Sequence, residues 1–104
     1  MRDIRVHFDA LEEAELAVAW YEDERPGLGV DFYDAIDAAT DLLECDPIPS
    51  VPMPGKMGKL GIRRIILKRF PYDLVFVERP NYIWVIAYAH HSRRPAYWRD
   101  RLSA

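Results

Sequence analysis

The residues best equipped for chemistry stand together near the C-terminus, in His90-His91-Ser92-Arg93-Arg94-Pro95-Ala96-Tyr97-Trp98-Arg99-Asp100-Arg101. This stretch is too basic and too aromatic to be a spacer. Arg93 and Arg94 can hold an anion through charge-assisted, forked hydrogen bonds. His90 and His91 follow a predicted strand, where capping or packing competes with a protonic role. Tyr97 and Trp98 suit burial of their rings as an anchor for the tail more readily than contact with a target. With three histidines and one cysteine in the chain, and no clustered carboxylates beside them, neither a metal site nor a cofactor is expected. Gly55, Gly58 and Gly61 alternate with Lys56 and Lys59, but Leu60 follows Lys59 where a phosphate loop needs Ser or Thr, and the glycine spacing is wrong. Cys45 cannot form an internal disulfide and, near the end of an apolar helical stripe, reads as a buried, inert thiol.

These candidates sit in the basic half of a chain divided by charge. Residues 1–55 carry 3 Lys/Arg against 14 Asp/Glu, net −11, whereas residues 56–104 carry 11 against 3, net +8, within a total of −3. The second half is therefore expected to present a basic face to an acidic partner, nucleic acid or protein; the competing reading is mutual neutralisation of the halves across the fold. The 104 residues suffice for one domain spanning 1–104, and 50% hydrophobic with 12% aromatic content argues against disorder. The longest apolar runs, such as Tyr82 to Ala89, fall short of a membrane helix. The N-terminus lacks the apolar region of a signal peptide, so a cytoplasmic protein without membrane association is expected.

The elements that must position the basic tail are readable from periodicity. Ile4 to Phe8 alternates apolar and polar, as a half-buried strand does. Asp9 is expected to cap a helix, with Glu12 completing a capping box, and the helix runs to about Glu24. Its apolar stripe is Leu11, Ala14, Val18 and Tyr21, flanked by Ala10, Ala17 and Trp20. Arg25-Pro26-Gly27-Leu28-Gly29 breaks it. A second helix follows from about Val30 to Glu44 on Phe32, Ile36, Ala39 and Leu43, making an antiparallel hairpin. Pro47, Pro49, Pro52 and Pro54, then the glycines, predict one long loop without regular structure. Strands are predicted at Ile62–Phe70, Leu74–Arg79 and Tyr82–Ala89, joined so tightly that they form a three-stranded antiparallel meander. The last is apolar on both faces, with Tyr82, Trp84, Ile86 and Tyr88 assigned to one and Ile83, Val85, Ala87 and Ala89 to the other, so it must be central or covered on both sides. The fold class is α+β: an N-terminal strand, a helix hairpin and a meander, with the helices on one face of the sheet.

This order, ending in a basic tail, resembles the RelE/ParE toxin superfamily over nearly the whole chain. The ParE-like branch, the plasmid-stabilisation proteins, is most similar in Ala19-Trp20-Tyr21-Glu22, Pro26-Gly27-Leu28-Gly29, Phe32, Ile62-Arg63-Arg64, Phe70-Pro71-Tyr72, Val85-Ile86-Ala87-Tyr88-Ala89-His90 and Arg93-Arg94-Pro95-Ala96-Tyr97-Trp98. The resemblance implies the toxin of a type II toxin–antitoxin system, which inhibits growth when free and is neutralised by a cognate antitoxin. That antitoxin's C-terminal segment wraps the toxin as helix or added strand. The resemblance also allows a higher-order toxin–antitoxin oligomer.

Two mechanisms exist within the superfamily. RelE-like members are ribosome-dependent mRNA endoribonucleases, needing a base for the 2′-hydroxyl, cations for the phosphorane charge and an acid for the leaving oxygen. The resemblance offers Arg64, His90, His91, Arg93, Arg94 and Tyr97 for those roles. Against it, the usual arginine of a Tyr-Arg-Leu context is replaced in Tyr72-Asp73-Leu74, and an aspartate there repels phosphate. ParE-like members bind DNA gyrase, which needs a surface and no proton-transfer constellation. The Phe-Pro-Tyr turn, the His-x-x-Arg-Arg-Pro tail and a pI of about 5.5 fit that branch better. Arg63, Lys68, Arg69, Arg93, Arg94 and Trp98 are the expected partner-binding residues, although arginines and lysines on strands also serve as solvated positions that discourage edge pairing. A third reading is a non-toxic binding module.

Overall fold

The computed structural model describes residues 3–103. Strand β1 (Asp3–Val6) leads into helix α1 (Phe8–Glu24), then α2 (Leu28–Leu42). Strand β2 (Val51–Pro52) and a short helix α3 (Gly55–Lys59) precede β3 (Ile62–Ile66), β4 (Tyr72–Glu78) and β5 (Tyr82–His90). A 3₁₀ turn over Arg99–Ser103 follows.

The fold class is α+β as expected, with both long helices on one face of the sheet. The meander β3–β4–β5 is present, but it is the centre of a five-stranded mixed sheet ordered β1-β5-β4-β3-β2. β1 pairs parallel with β5, Ile4 opposite Ile83, because the helix hairpin carries the chain back before the meander begins. β5 is thereby central. β3 stops at Ile66 rather than Phe70, where a turn with Arg69 at φ 73° intervenes.

β5 carries a bulge that changes the assignment of its faces. Val75 lies opposite Ala87 but Phe76 lies opposite Val85, leaving Ile86 as the extra residue. Ile83, Val85 and Tyr88 therefore all face the helices, while Trp84, Ile86, Ala87 and Ala89 face the other way. Uninterrupted alternation would have put Tyr88 with Trp84.

Local corrections have physical causes. His7, not Asp9, caps α1: its Nδ1 accepts the Asp9 N–H at 3.0 Å while its own N–H continues the sheet to the Val85 carbonyl at 2.9 Å. The packed stripe of α1 is Ala10, Ala14, Ala17, Val18 and Tyr21, whereas Leu11 and Trp20 are exposed. α2 begins two residues earlier than expected, since Gly27 at φ 91° is its cap and the Glu22 carboxylate accepts the N–H groups of Gly27 and Gly29. The proline-rich stretch is not devoid of regular structure; Met53 N–H donates to the Ile62 carbonyl, extending β2 along the edge of β3. Cys45 is exposed beyond the end of α2 rather than buried.

The two helices approach closely at Gly29, where an added methyl carbon would stand 2.8 Å from the Val18 carbonyl oxygen and 3.0 Å from Glu22 Cβ. Gly29→Ala is therefore expected to cost about 1–3 kcal/mol through forced separation of α1 and α2, measurable as a lowered urea midpoint.

Candidate functional site

Where α1 and α2 cover one face of the sheet, the C-terminal tail covers the other. Ile62, Val75, Val77, Ile86 and Ala87 form an apolar floor, onto which Trp98 is pressed with 2% exposure, joined by Ala96, Tyr97 and Leu102. Met53 and Met57 close the side toward α3. Ala96 holds φ 57°, the left-handed turn that directs the following rings back onto the sheet.

A second anchor is polar. Glu13 of α1 receives the Tyr97 hydroxyl at 2.6 Å, Arg101 Nη1 and Nη2 at 3.0 Å each, and the Tyr88 N–H at 3.2 Å. Arg101 Nη1 also donates to the Ile86 carbonyl at 3.0 Å. One carboxylate thus joins helix, sheet and tail. Burial, followed by the hydrogen bond to Glu13 and that group's negative charge, pushes the Tyr97 hydroxyl well above its ordinary pKa of 10.0. The Glu13 hydrogen bond raises the Arg101 pKa against the opposing effect of its burial. Neither Glu13 nor Arg101 was among the residues expected from sequence.

Between the fastened tail and β3–β4 lies a cleft of about 380 Å³. Arg64, His90, His91, Arg93, Arg94 and Tyr97, the six candidates for proton or charge transfer, all line it. Asp73, 6% exposed, sits among them. Its Oδ2 accepts from Arg64 Nη1 at 3.3 Å and its Oδ1 lies 2.8 Å from His91 Nε2. The other groups have partners too. His90 Nδ1 accepts the Ser92 N–H at 3.0 Å and lies 2.8 Å from that residue's hydroxyl. The Arg93 guanidinium stacks 3.8 Å over the Tyr97 ring. Arg94 stands exposed on the rim.

The remaining expected contact residues lie elsewhere. Arg63 clamps the proline-rich segment, its Nε on the Ser50 hydroxyl and Nη2 on the Ser50 carbonyl, both at 2.8 Å. Lys68 and Arg69 are exposed after β3, with Arg69 3.5 Å from Asp31 in a surface pair of small energetic weight. Trp98, named also as a partner contact, is buried in the core, where it anchors the tail as the first reading of its ring expects. Among the described residues there is no group of three or more His, Cys, Asp or Glu able to hold a metal ion, and no helix is long and apolar enough to cross a membrane.

No protein-family model and no curated protein matches the sequence. Among solved structures, the chain is similar to a chain of one described as the chromosomal ParDE TA system from P. aeruginosa, with a TM-score of 0.70 and 15% identity over 86% of this chain and 96% of that one. The fold is therefore ParE-like, as the motifs implied.

Proposed function

We propose that this chain is a single-domain toxin of a type II toxin–antitoxin pair, of the plasmid-stabilisation kind. It arrests growth by binding DNA gyrase, without catalysis, and is neutralised by a cognate antitoxin. The observation that carries this reading is the commitment of the proton-transfer candidates to structure. Tyr97, the natural base or acid of the tail, gives its hydroxyl to Glu13 at 2.6 Å and is held protonated far above neutral pH. Asp73 occupies both Arg64 and His91. What the tail leaves exposed is cationic surface, Arg94 and the Arg93 guanidinium stacked on Tyr97, which serves binding.

A ribosome-dependent endoribonuclease is the second reading, favoured by the gathering of Arg64, His91, Arg93 and Arg94 in one cleft. The buried Asp73 carboxylate at its centre opposes a scissile phosphate.

Induction without antitoxin, followed by pulse-labelling of DNA, RNA and protein, separates these readings. DNA synthesis is expected to fall first, and the purified chain is expected to block supercoiling of relaxed plasmid by gyrase. Tyr97→Phe is expected to keep most of this inhibition, since the ring stays packed and the Arg101–Glu13 pair still fastens the tail when the hydroxyl's bond to Glu13 is lost. An early stop in protein synthesis with cut messenger, abolished by Tyr97→Phe, would establish the nuclease instead. No effect on any synthesis would leave a non-toxic binding module.

A further inference from the structure

The cleft beneath the tail combines concentrated positive charge with apolar walls. Arg64, Arg93 and Arg94 bring three guanidinium groups to it, and Asp73 is its one carboxylate among the described residues. Arg64 is incompletely satisfied: one Nη meets Asp73, while its Nε is buried with no hydrogen-bond partner among the described residues. A cation in this condition gains from a further anion, because charge-assisted hydrogen bonds to a guanidinium are stronger than neutral ones. The walls, which include Met53, Val75 and Pro95, offer no hydrogen bonds from their side chains and favour an apolar group beside the anion.

We infer that this cleft is a docking site for an acidic peptide segment of a partner protein, in which Asp or Glu side chains alternate with apolar ones. The carboxylates pair with Arg94, Arg93 and Arg64, and the apolar side chains lie against the walls. Phosphates would satisfy the arginines equally well, but single-stranded nucleic acid also needs exposed aromatic faces on which its bases stack. The larger rings are withheld, Trp98 at 2% exposure and the Tyr97 ring with a face under Arg93 at 3.8 Å; the imidazoles of His90 and His91 are the smaller platform left at the cleft, and His91 is tied to Asp73 at 2.8 Å. The inference deepens the proposed binding role and rests on it for biological meaning, but its chemistry is testable separately.

The test is fluorescence anisotropy of a labelled short peptide of alternating Glu and Leu, compared with its Gln-for-Glu counterpart and with a single-stranded oligoribonucleotide of similar length. The acidic peptide is expected to bind roughly tenfold or more tightly than either, as loss of a charge-assisted contact implies, and to weaken with added salt. Arg94→Glu, at an exposed position, is expected to reduce its binding roughly tenfold while circular dichroism shows an unchanged fold; Arg93→Glu, also exposed, provides a second reading. Equal binding of the Glu and Gln peptides, tighter binding of the oligoribonucleotide, or full affinity in a folded Arg94→Glu variant overturns the inference. Growth arrest is scored in parallel. Arrest without peptide binding defeats the inference alone, and peptide binding without arrest defeats the toxin reading alone.

Discussion

Trp98→Ala is expected to remove about 4 kcal/mol of stability, the middle of the range for deleting a buried indole, and to release the tail from the sheet. The indole is 2% exposed and is the largest fully buried side chain. It packs in one cluster with Ile62, Val75, Val77, Ile86 and Ala87. The backbone hydrogen bonds of the tail do not compensate for its loss. The bonds of Tyr97 to Arg94, Arg99 to Ala96 and Arg101 to Trp98 are all local, so they hold a turn together without holding it to the sheet. Against a total of roughly 5–15 kcal/mol for a domain of this size, the variant should be largely destabilised. Urea unfolding followed by circular dichroism measures the loss. Trp98→Phe, which keeps a ring, should cost about half as much or less. A loss below about 1 kcal/mol for the alanine variant would mean that the tail is not part of the core.

The basic and aromatic character of the tail is local, so Arg93 and Arg94 were identifiable as surface and Tyr97 and Trp98 as rings needing a place. Whether that place is a partner or the chain's own sheet depends on a bare apolar face opposite the helices, and that depends on distant residues. The same limit hides the parallel pairing of β1 with β5, since Ile4 and Ile83 meet only after the hairpin has formed. The bulge at Ile86 is invisible for another reason. β5 is apolar on both faces, so alternation has no phase there and a slip of one residue leaves no mark. The capping role of His7 is not legible in the sequence, because imidazole is an unusual capping group and Asp9 a favoured one.

Glu13 shows how a central residue escapes notice. In sequence it is one of three glutamates, Glu12, Glu13 and Glu15, in the early turns of α1, where the helix dipole alone justifies acidic residues. Its tail partners are 84 and 88 residues away. A usable signal did exist: Glu13 lies three residues after Ala10 and four before Ala17, so helical spacing turns it toward the packed side of α1. An acid at such a position asks for a partner.

Glu13→Ala is accordingly expected to cost about 3 kcal/mol, the lower end for breaking a buried ion pair, since both members retain some exposure. The loss leaves Arg101 with the Ile86 carbonyl at 3.0 Å and a distant Asp9 at 3.9 Å, and it orphans the Tyr97 hydroxyl. Replacing both Glu13 and Arg101 by apolar residues of similar length should cost much less, because no uncompensated charge remains. Double-mutant unfolding distinguishes a network from a set of independent contacts. The same cluster sets an alkaline limit. Burial first, then Glu13, holds the folded Tyr97 hydroxyl above its ordinary pKa of 10.0, so the protonated phenol is the form favoured by folding. The resulting stabilisation is fully present below pH 10 and is lost as pH rises through the folded-state pKa, since the unfolded chain releases this proton first. Tyr88, Tyr72 and Tyr21 are raised as well, each chiefly by burial, and add to the same slope. Urea midpoints should therefore hold steady from neutral pH to about 9 and decline above 10. The decline should be shallower in Tyr97→Phe, where the most strongly shifted of these hydroxyls is gone; an identical slope in that variant would place the alkaline sensitivity outside the Glu13 cluster.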